Sequence, residues 1–186
     1  NEDKDKITGA EKGTIVHLVM EVLDFNKINS VDEIEEQING FIKRDIMTQK
    51  QASIINSYKV YKFFKSNLGQ RMLKSKFVKR EQTIYAQIKM KDVYIYEDLM
   101  KEDNTNRYGE ESLMLRGIID AYFEEDDKIV LVDYKTDFVN EENKNQVINR
   151  YKKQLDLYKD VLQELTGKEV KEKYIYLFGI DEGISI

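Results

Sequence analysis

Apolar residues recur at helical spacing through the first third of the chain and at strand spacing after Phe77. Gly13-Thr14 precedes the run Ile15-Val16-His17-Leu18-Val19-Met20-Glu21-Val22-Leu23, which predicts a buried helix with Thr14 as its N-cap. Ser30 with Glu33 has the spacing of a capping box and predicts a second helix ending near Gly40. Thr48 with Gln51 predicts a third, running to about Ser66, and a short helix follows from Leu68 to Lys74. From Thr83 to Lys89 the pattern alternates, with Ile84, Ala86 and Ile88 set against Tyr85, Gln87 and Lys89. Val93 to Tyr96 reads as a second strand and Asp103 to Glu110 as a polar loop. Ser112 to Phe123 reads as a strand, Glu124 to Asp127 as a tight turn, and Lys128 to Tyr134 as a strand buried inside the sheet. A long amphipathic helix from Asn143 to Leu165, closed by Gly167, precedes a last strand from Lys173 to Phe178. The order predicts one mixed α/β domain over residues 1–186 with a helical N-terminal third.

Composition narrows the chemistry. The chain contains no Cys, which removes disulfides, thiol catalysis, Cys-ligated zinc and iron–sulfur clusters together. Any metal must therefore be held by oxygen and imidazole. No run approaches the ~18 apolar residues of a membrane span. The first residues are charged and lack a signal-peptide core, so a cytoplasmic location is expected. The net charge of −5 argues at first against nucleic acid. Its distribution does not: Lys59, Lys62, Lys65, Arg71, Lys74, Lys76, Lys79 and Arg80 stand in one stretch without an acidic residue. Such a stretch is either a patch that tracks phosphates or a solvated helical face.

Asp120 closes the apolar run Gly117-Ile118-Ile119, and Asp133 closes the next strand. Across a hairpin of that length the two carboxylates face each other, repel, and call for a divalent cation such as magnesium or manganese. Alternation puts Lys135 on the same side as Asp133 and turns Tyr134 away. The only histidine, His17, reads in two ways. It is either a hydrogen-bonded core residue or a metal ligand with Glu21, one turn on, as its partner. Gln154 and Tyr158 are likewise one helical turn apart.

Gly13-Thr14-x-x-His17-x-x-x-Glu21, Arg80-Glu81, Gly117-Ile118-Ile119-Asp120, Asp133-Tyr134-Lys135-Thr136 and Gln154-x-x-x-Tyr158 occur in that order along the chain. In this the chain resembles RecB-like nucleases of the PD-(D/E)xK superfamily, and most closely the C-terminal nuclease domain of AddA-type helicase–nucleases. The resemblance implies a restriction-endonuclease-like mixed sheet flanked by helices. It implies Mg²⁺ (with Mn²⁺ able to substitute) ligated by His17, Asp120, Asp133 and the carbonyl of Tyr134. Lys135 is implied to activate the attacking water, and Gln154 and Tyr158 to support the site and touch the DNA backbone. Glu81 matches the family's acidic residue on the first sheet strand. Lys62, Lys65, Arg71, Lys74, Lys79 and Arg80 are expected on phosphates. The implied activity is phosphodiester hydrolysis, cutting single strands beside a helicase during double-strand break repair by recombination. The implied partners are DNA, an upstream helicase domain of the same polypeptide and an AddB-like subunit. No G-x-x-x-x-G-K-[ST] loop is present, since Thr166-Gly167-Lys168-Glu169 has only part of its tail, so the ATP motor is not expected here. Two readings from other classes compete: a catalytically inactive DNA-binding module that keeps the nuclease fold, and a metal-free structural domain.

Overall fold

A computed structural model describes residues 8–89, 112–140 and 142–186. The strand expected at Val93 to Tyr96 and the loop at Asp103 to Glu110 lie outside these residues. Five helices come first: α1 (Gly9–Val22), α2 (Val31–Lys43), α3 (Gln49–Ala52), α4 (Ser57–Lys65) and α5 (Asn67–Lys74). Then follow β1 (Val78–Lys89), β2 (Ser112–Glu125), β3 (Lys128–Lys135), α6 (Lys144–Thr166), β4 (Val170–Leu177) and β5 (Glu182–Ser185).

Helix starts depart from the sequence reading where a better cap lies upstream. Thr8 and Glu11 form a complete capping box, so α1 begins one and a half turns before Thr14. Thr14 sits inside the helix with its hydroxyl donating to the Ala10 carbonyl at 3.2 Å. The Thr48–Gln51 box is formed, but α3 stops at Ala52. Asn56 caps a separate α4, dividing the single long helix expected there. At the other end Gly167 adopts φ +68°, the left-handed residue that ends α6 as its position predicts. Asp126 and Asp127, both at positive φ, make the two-residue turn between β2 and β3. The expected strand at Lys173 begins earlier, at Val170, and β5 adds an edge that its short, weakly apolar sequence does not announce.

The strands form one sheet in the order β1-β2-β3-β4-β5. Neighbours are antiparallel except β3 and β4, which run parallel with α6 as their crossover. The two faces carry separate cores. On one, α1, α2, α4 and α5 pack over Ala121, Phe123, Val130, Val132, Tyr134 and Tyr176. On the other, Leu155, Tyr158 and Leu162 of α6 cover Ile119, Ile129, Leu131, Ile175 and Leu177. This is the mixed sheet flanked by helices that the sequence order predicts.

Phe63 is the centre of the first core. Its ring meets Phe64, Tyr134, Tyr176 and Phe178 edge-on or tilted, at centroid distances of 5.0, 5.3, 4.8 and 6.3 Å. Such geometry adds to the burial of each ring. Phe63→Ala is expected to lower the unfolding free energy by about 3–5 kcal/mol, measured by urea denaturation.

Candidate metal and nuclease centre

The site forms where the sheet forks. Pairing between β2 and β3 runs from Glu125↔Lys128 to Ala121↔Val132 and ends there. Beyond that point β2 continues beside β1, and β3 beside β4. Asp120 and Asp133 stand at the crotch. Asp120 is thus in the interior of β2, not at its end as its place after the apolar run suggested. Its carboxylate Oδ2 accepts from the Tyr134 N–H at 2.6 Å, taking over the hydrogen bond that a continued ladder would have made.

Opposite Asp120, Glu81 drops out of the β1–β2 pairing although the register is the same on both sides of it. It holds φ +48°, a left-handed conformation that costs a non-glycine residue about 1–3 kcal/mol. Alternation changes face here. Arg80 reaches α1 while Ile84 packs in the α6 core, and Ala121 and Ile119, two residues apart, belong to different cores. The distortion aims Glu81 at the fork.

His17 enters from α1. Its Nε2–H donates to the Tyr134 carbonyl at 3.0 Å, which leaves Nδ1 facing Asp120 Oδ1 at 3.2 Å and Glu81 Oε1 at 3.5 Å. One ligand atom from each of His17, Glu81 and Asp120 lies within 4.8 Å of the others. Burial of the ring works against its charged form, but the two carboxylates outweigh it and push its pKa up to about 10. The partner expected on the helix, Glu21, is exposed, and its charge is felt at Arg80.

Asp133 and Lys135 share the α6 face, as alternation predicts, and the ammonium lies 2.7 Å from Asp133 Oδ2. That oxygen is buried and has no aligned hydrogen bond, so the contact is ionic only. Burial, reinforced by Asp120 and opposed by Lys135, pushes the Asp133 carboxyl up to about 7. For Lys135 burial opposes the charge, and Asp133 and Asp120 raise its pKa above the ordinary value regardless. Its Nζ also stands 4.3 Å from the centre of the Tyr151 ring, whose hydroxyl donates to Asp137 at 3.1 Å. Tyr151 reads in the sequence only as an apolar position of α6; no motif marks it as Lys135's support. Gln154 donates to the Tyr158 hydroxyl at 3.0 Å. Tyr158 in turn lies so close to β2 that a Cβ on Gly117 would meet its ring at 3.0 Å.

Imidazole and carboxylates at one point suit a hard or borderline divalent cation. An acid cluster with a buried carboxylate oxygen that lacks a hydrogen bond fits the same group. His17, Glu81 and Asp120 are the residues placed to hold it, with Asp133 adjoining. Glu81 therefore joins the set implied by the sequence, and the Tyr134 carbonyl is engaged by the His17 ring.

The six basic residues expected on phosphates are not gathered at the fork. Arg71 forms paired hydrogen bonds with both Glu125 and Glu172, at 2.7–2.9 Å, tying α5 to the sheet. Arg80 donates to the carbonyls of Leu23 and Met20, at 2.7 and 3.2 Å, and closes the C-terminal end of α1. Lys62 pairs with Asp181 at 3.0 Å. Lys65 and Lys79 lie over the rings of Tyr61 and Phe77, and Lys74 lines a separate cleft with Glu124.

Comparison with known proteins places the same residues in a family. The model of the PD-(D/E)XK nuclease superfamily matches residues 2–184. An ATP-dependent helicase/nuclease of the AddA type from Clostridioides difficile (strain 630) is 63% identical over 183 residues, 98% of this chain and 14% of that protein. Proteins of the same name from Thermoanaerobacter sp. (strain X514) and Clostridium botulinum (strain 657 / Type Ba4) are 48% and 43% identical, over 95% and 99% of the chain. The chain spans 14% of the length of each of these relatives.

Both raised pKa values give stability the same pH dependence. The folded state holds a proton on Asp133 that the unfolded chain releases near 3.8, and one on His17 that it releases near 6.5. Stability is therefore fully present below these values and lost as pH rises through about 7 and about 10. In EDTA the melting temperature should fall across that range. His17→Gln should remove the decline between pH 6.5 and 10, which a thermal-melt series in both proteins checks.

Proposed function

Because the chain belongs to the PD-(D/E)XK nuclease superfamily, we propose that the fork between β2 and β3 is a Mg²⁺-dependent DNA nuclease centre that cuts single strands. The observation that carries this reading is the convergence of His17, Glu81 and Asp120 within 4.8 Å. Beside that cluster, Lys135 is seated on Asp133. A divalent cation held there supplies Lewis-acid stabilisation of charge on a phosphoryl oxygen, and Mn²⁺ can replace Mg²⁺. The chain's own residues do the rest. Asp120 and Glu81 hold the ligand set together, and Asp133 orients the Lys135 ammonium. Lys135 positions the attacking water and stabilises the negative charge that builds on the phosphoryl group in line with attack. Gln154 and Tyr158 brace that side of the fork and offer hydrogen bonds to the DNA backbone. Lys65, Lys74 and Lys79 have no carboxylate partner in a salt bridge among the described residues, and serve as the phosphate contacts of the basic stretch.

The similarity to helicase/nuclease proteins supports a setting as well as a reaction. In that setting residues 1–186 form the nuclease domain of a longer polypeptide. A helicase domain of the same polypeptide delivers the strand, an AddB-like subunit completes the complex, and the cleavage serves double-strand break repair by recombination in the cytoplasm. No helix among the described residues is long and apolar enough to cross a membrane.

A labelled single-stranded oligonucleotide with Mg²⁺ tests the reading. The unaltered chain should cut it, and Asp120→Ala or Asp133→Ala should abolish cutting. Binding without cutting by the unaltered chain would mark an inactive DNA-binding module, and neither activity a structural domain. Lys135→Ala should lower the cleavage rate by about 10²–10³ while Mn²⁺ binding, followed by calorimetry, stays within about twofold. Glu81→Gln should instead weaken Mn²⁺ binding. If Lys135→Ala lost the cation and Glu81→Gln kept it, the assignment of roles would be reversed.

A further inference from the structure

Next to the fork lies an open cleft of about 500 Å³ that the proposed chemistry does not use. His17 and Lys135 line it, so it opens directly onto the centre. One wall is the first turns of α1, where Gly9, Ala10 and Gly13 present almost bare helix. The facing wall comes from the loop after β3 and from α6, and carries Phe138 and Arg150. Phe138 is 82% exposed, more than any other large apolar side chain among the described residues. Single exposed apolar residues are ordinary. What separates this one is its position in a cleft beside an unpaired cation. Arg150 lies 5.5 Å from the Tyr151 ring, and no carboxylate pairs with it among the described residues.

From this arrangement we propose that the cleft is a subsite for an unpaired nucleotide next to the scissile phosphate, with its base stacked on Phe138 and its phosphate held by Arg150. The inference rests on reading the fork as a DNA-cleaving centre. Stacking on an aromatic face needs a base whose own face is free, which a duplex interior does not offer. A guanidinium without an internal partner supplies the charge that a phosphate requires. The bare wall of α1 leaves room for a sugar and base where larger side chains would fill the cleft. A volume of this order suits a small ligand or a nucleotide rather than a helix. The subsite therefore selects single strands over duplex.

The test measures affinity with cleavage switched off. A short fluorescein-labelled oligothymidylate and a blunt duplex are titrated with the chain in Ca²⁺ instead of Mg²⁺. Phe138→Ala should weaken oligothymidylate binding about tenfold and leave the duplex nearly unchanged, while Phe138→Trp restores the single strand. A strand with abasic sites should bind the unaltered chain about as weakly, and Phe138→Ala should then add little. Arg150→Ala should lower the slope of log affinity against log salt by about one. Equal effects of Phe138→Ala on strand and duplex, no effect on either, or no strand binding by the unaltered chain would each overturn the subsite. Phe138 is exposed, so its variants do not threaten the fold. A chain that showed this stacking pattern but cut nothing in Mg²⁺ would sustain the subsite and defeat the nuclease reading alone.

Discussion

The Asp120 carboxylate is the joint on which the structure turns. One oxygen accepts the Tyr134 N–H and the other faces the His17 ring. Without an acceptor at that place, the parting of β2 and β3 would leave a buried amide unpaired, a loss of about 1–3 kcal/mol. With it, the fork is closed on itself and a helix from one face of the sheet is tied to the strand between them. The fork is also why side chains from both layers reach one point. A continuous ladder would have kept α1 and α6 on opposite sides of an unbroken sheet.

Collecting three carboxylates in so small a space is electrostatically unfavourable, and the surroundings answer each of them differently. Glu81 and Asp120 share the imidazole, which they hold protonated well above its ordinary range. Asp133, the most buried of the three, has the Lys135 ammonium and a raised pKa of its own. Glu81 adds conformational strain at φ +48°. Strain, an incompletely bonded buried oxygen and coupled charges are what a site looks like when its stability has been compromised in favour of a ligand. Purely structural ion pairs in the same molecule look otherwise: Arg71 meets Glu125 and Glu172 with aligned paired hydrogen bonds.

Much of this was legible in the chain because local rules apply to it. Asp133 and Lys135 share a face through simple alternation, Gly167 ends α6 by its left-handed freedom, and the order of elements follows the change of period after Phe77. The site residues themselves owed more to a resemblance carried by motifs than to periodicity. Glu81 shows why. Its neighbours alternate, but its own backbone breaks the alternation, so no count of apolar positions could aim it at His17. Arg80 and Arg71 show the opposite limit. A run of positive charges has no direction in sequence, and two of its members turn inward to a helix end and to an acid pair. Tyr151 was hidden for a third reason, since an aromatic ring that packs a helix and one that seats an ammonium have the same periodicity.

The seam between the two cores has a further consequence for how the centre can behave. Every group in it is anchored to a buried neighbour on its own side: His17 beside Val19 and Met20, Tyr134 against Phe63, Tyr158 within the α6 core. The groups are therefore held from behind by rigid packing while their polar atoms meet across a gap in the hydrogen-bond ladder. Rigidity behind and an unbridged gap in front are the conditions for preorganised electrostatics, in which charge built up during a reaction is met by dipoles and ions already in place. The same geometry explains why Gly13 and Gly117 carry no side chain. At Gly117 a Cβ would press on Tyr158, and at Gly13 one would lie 3.3 Å from Thr136 at the end of β3. Each layer closes on the fork only because its glycine lets it approach.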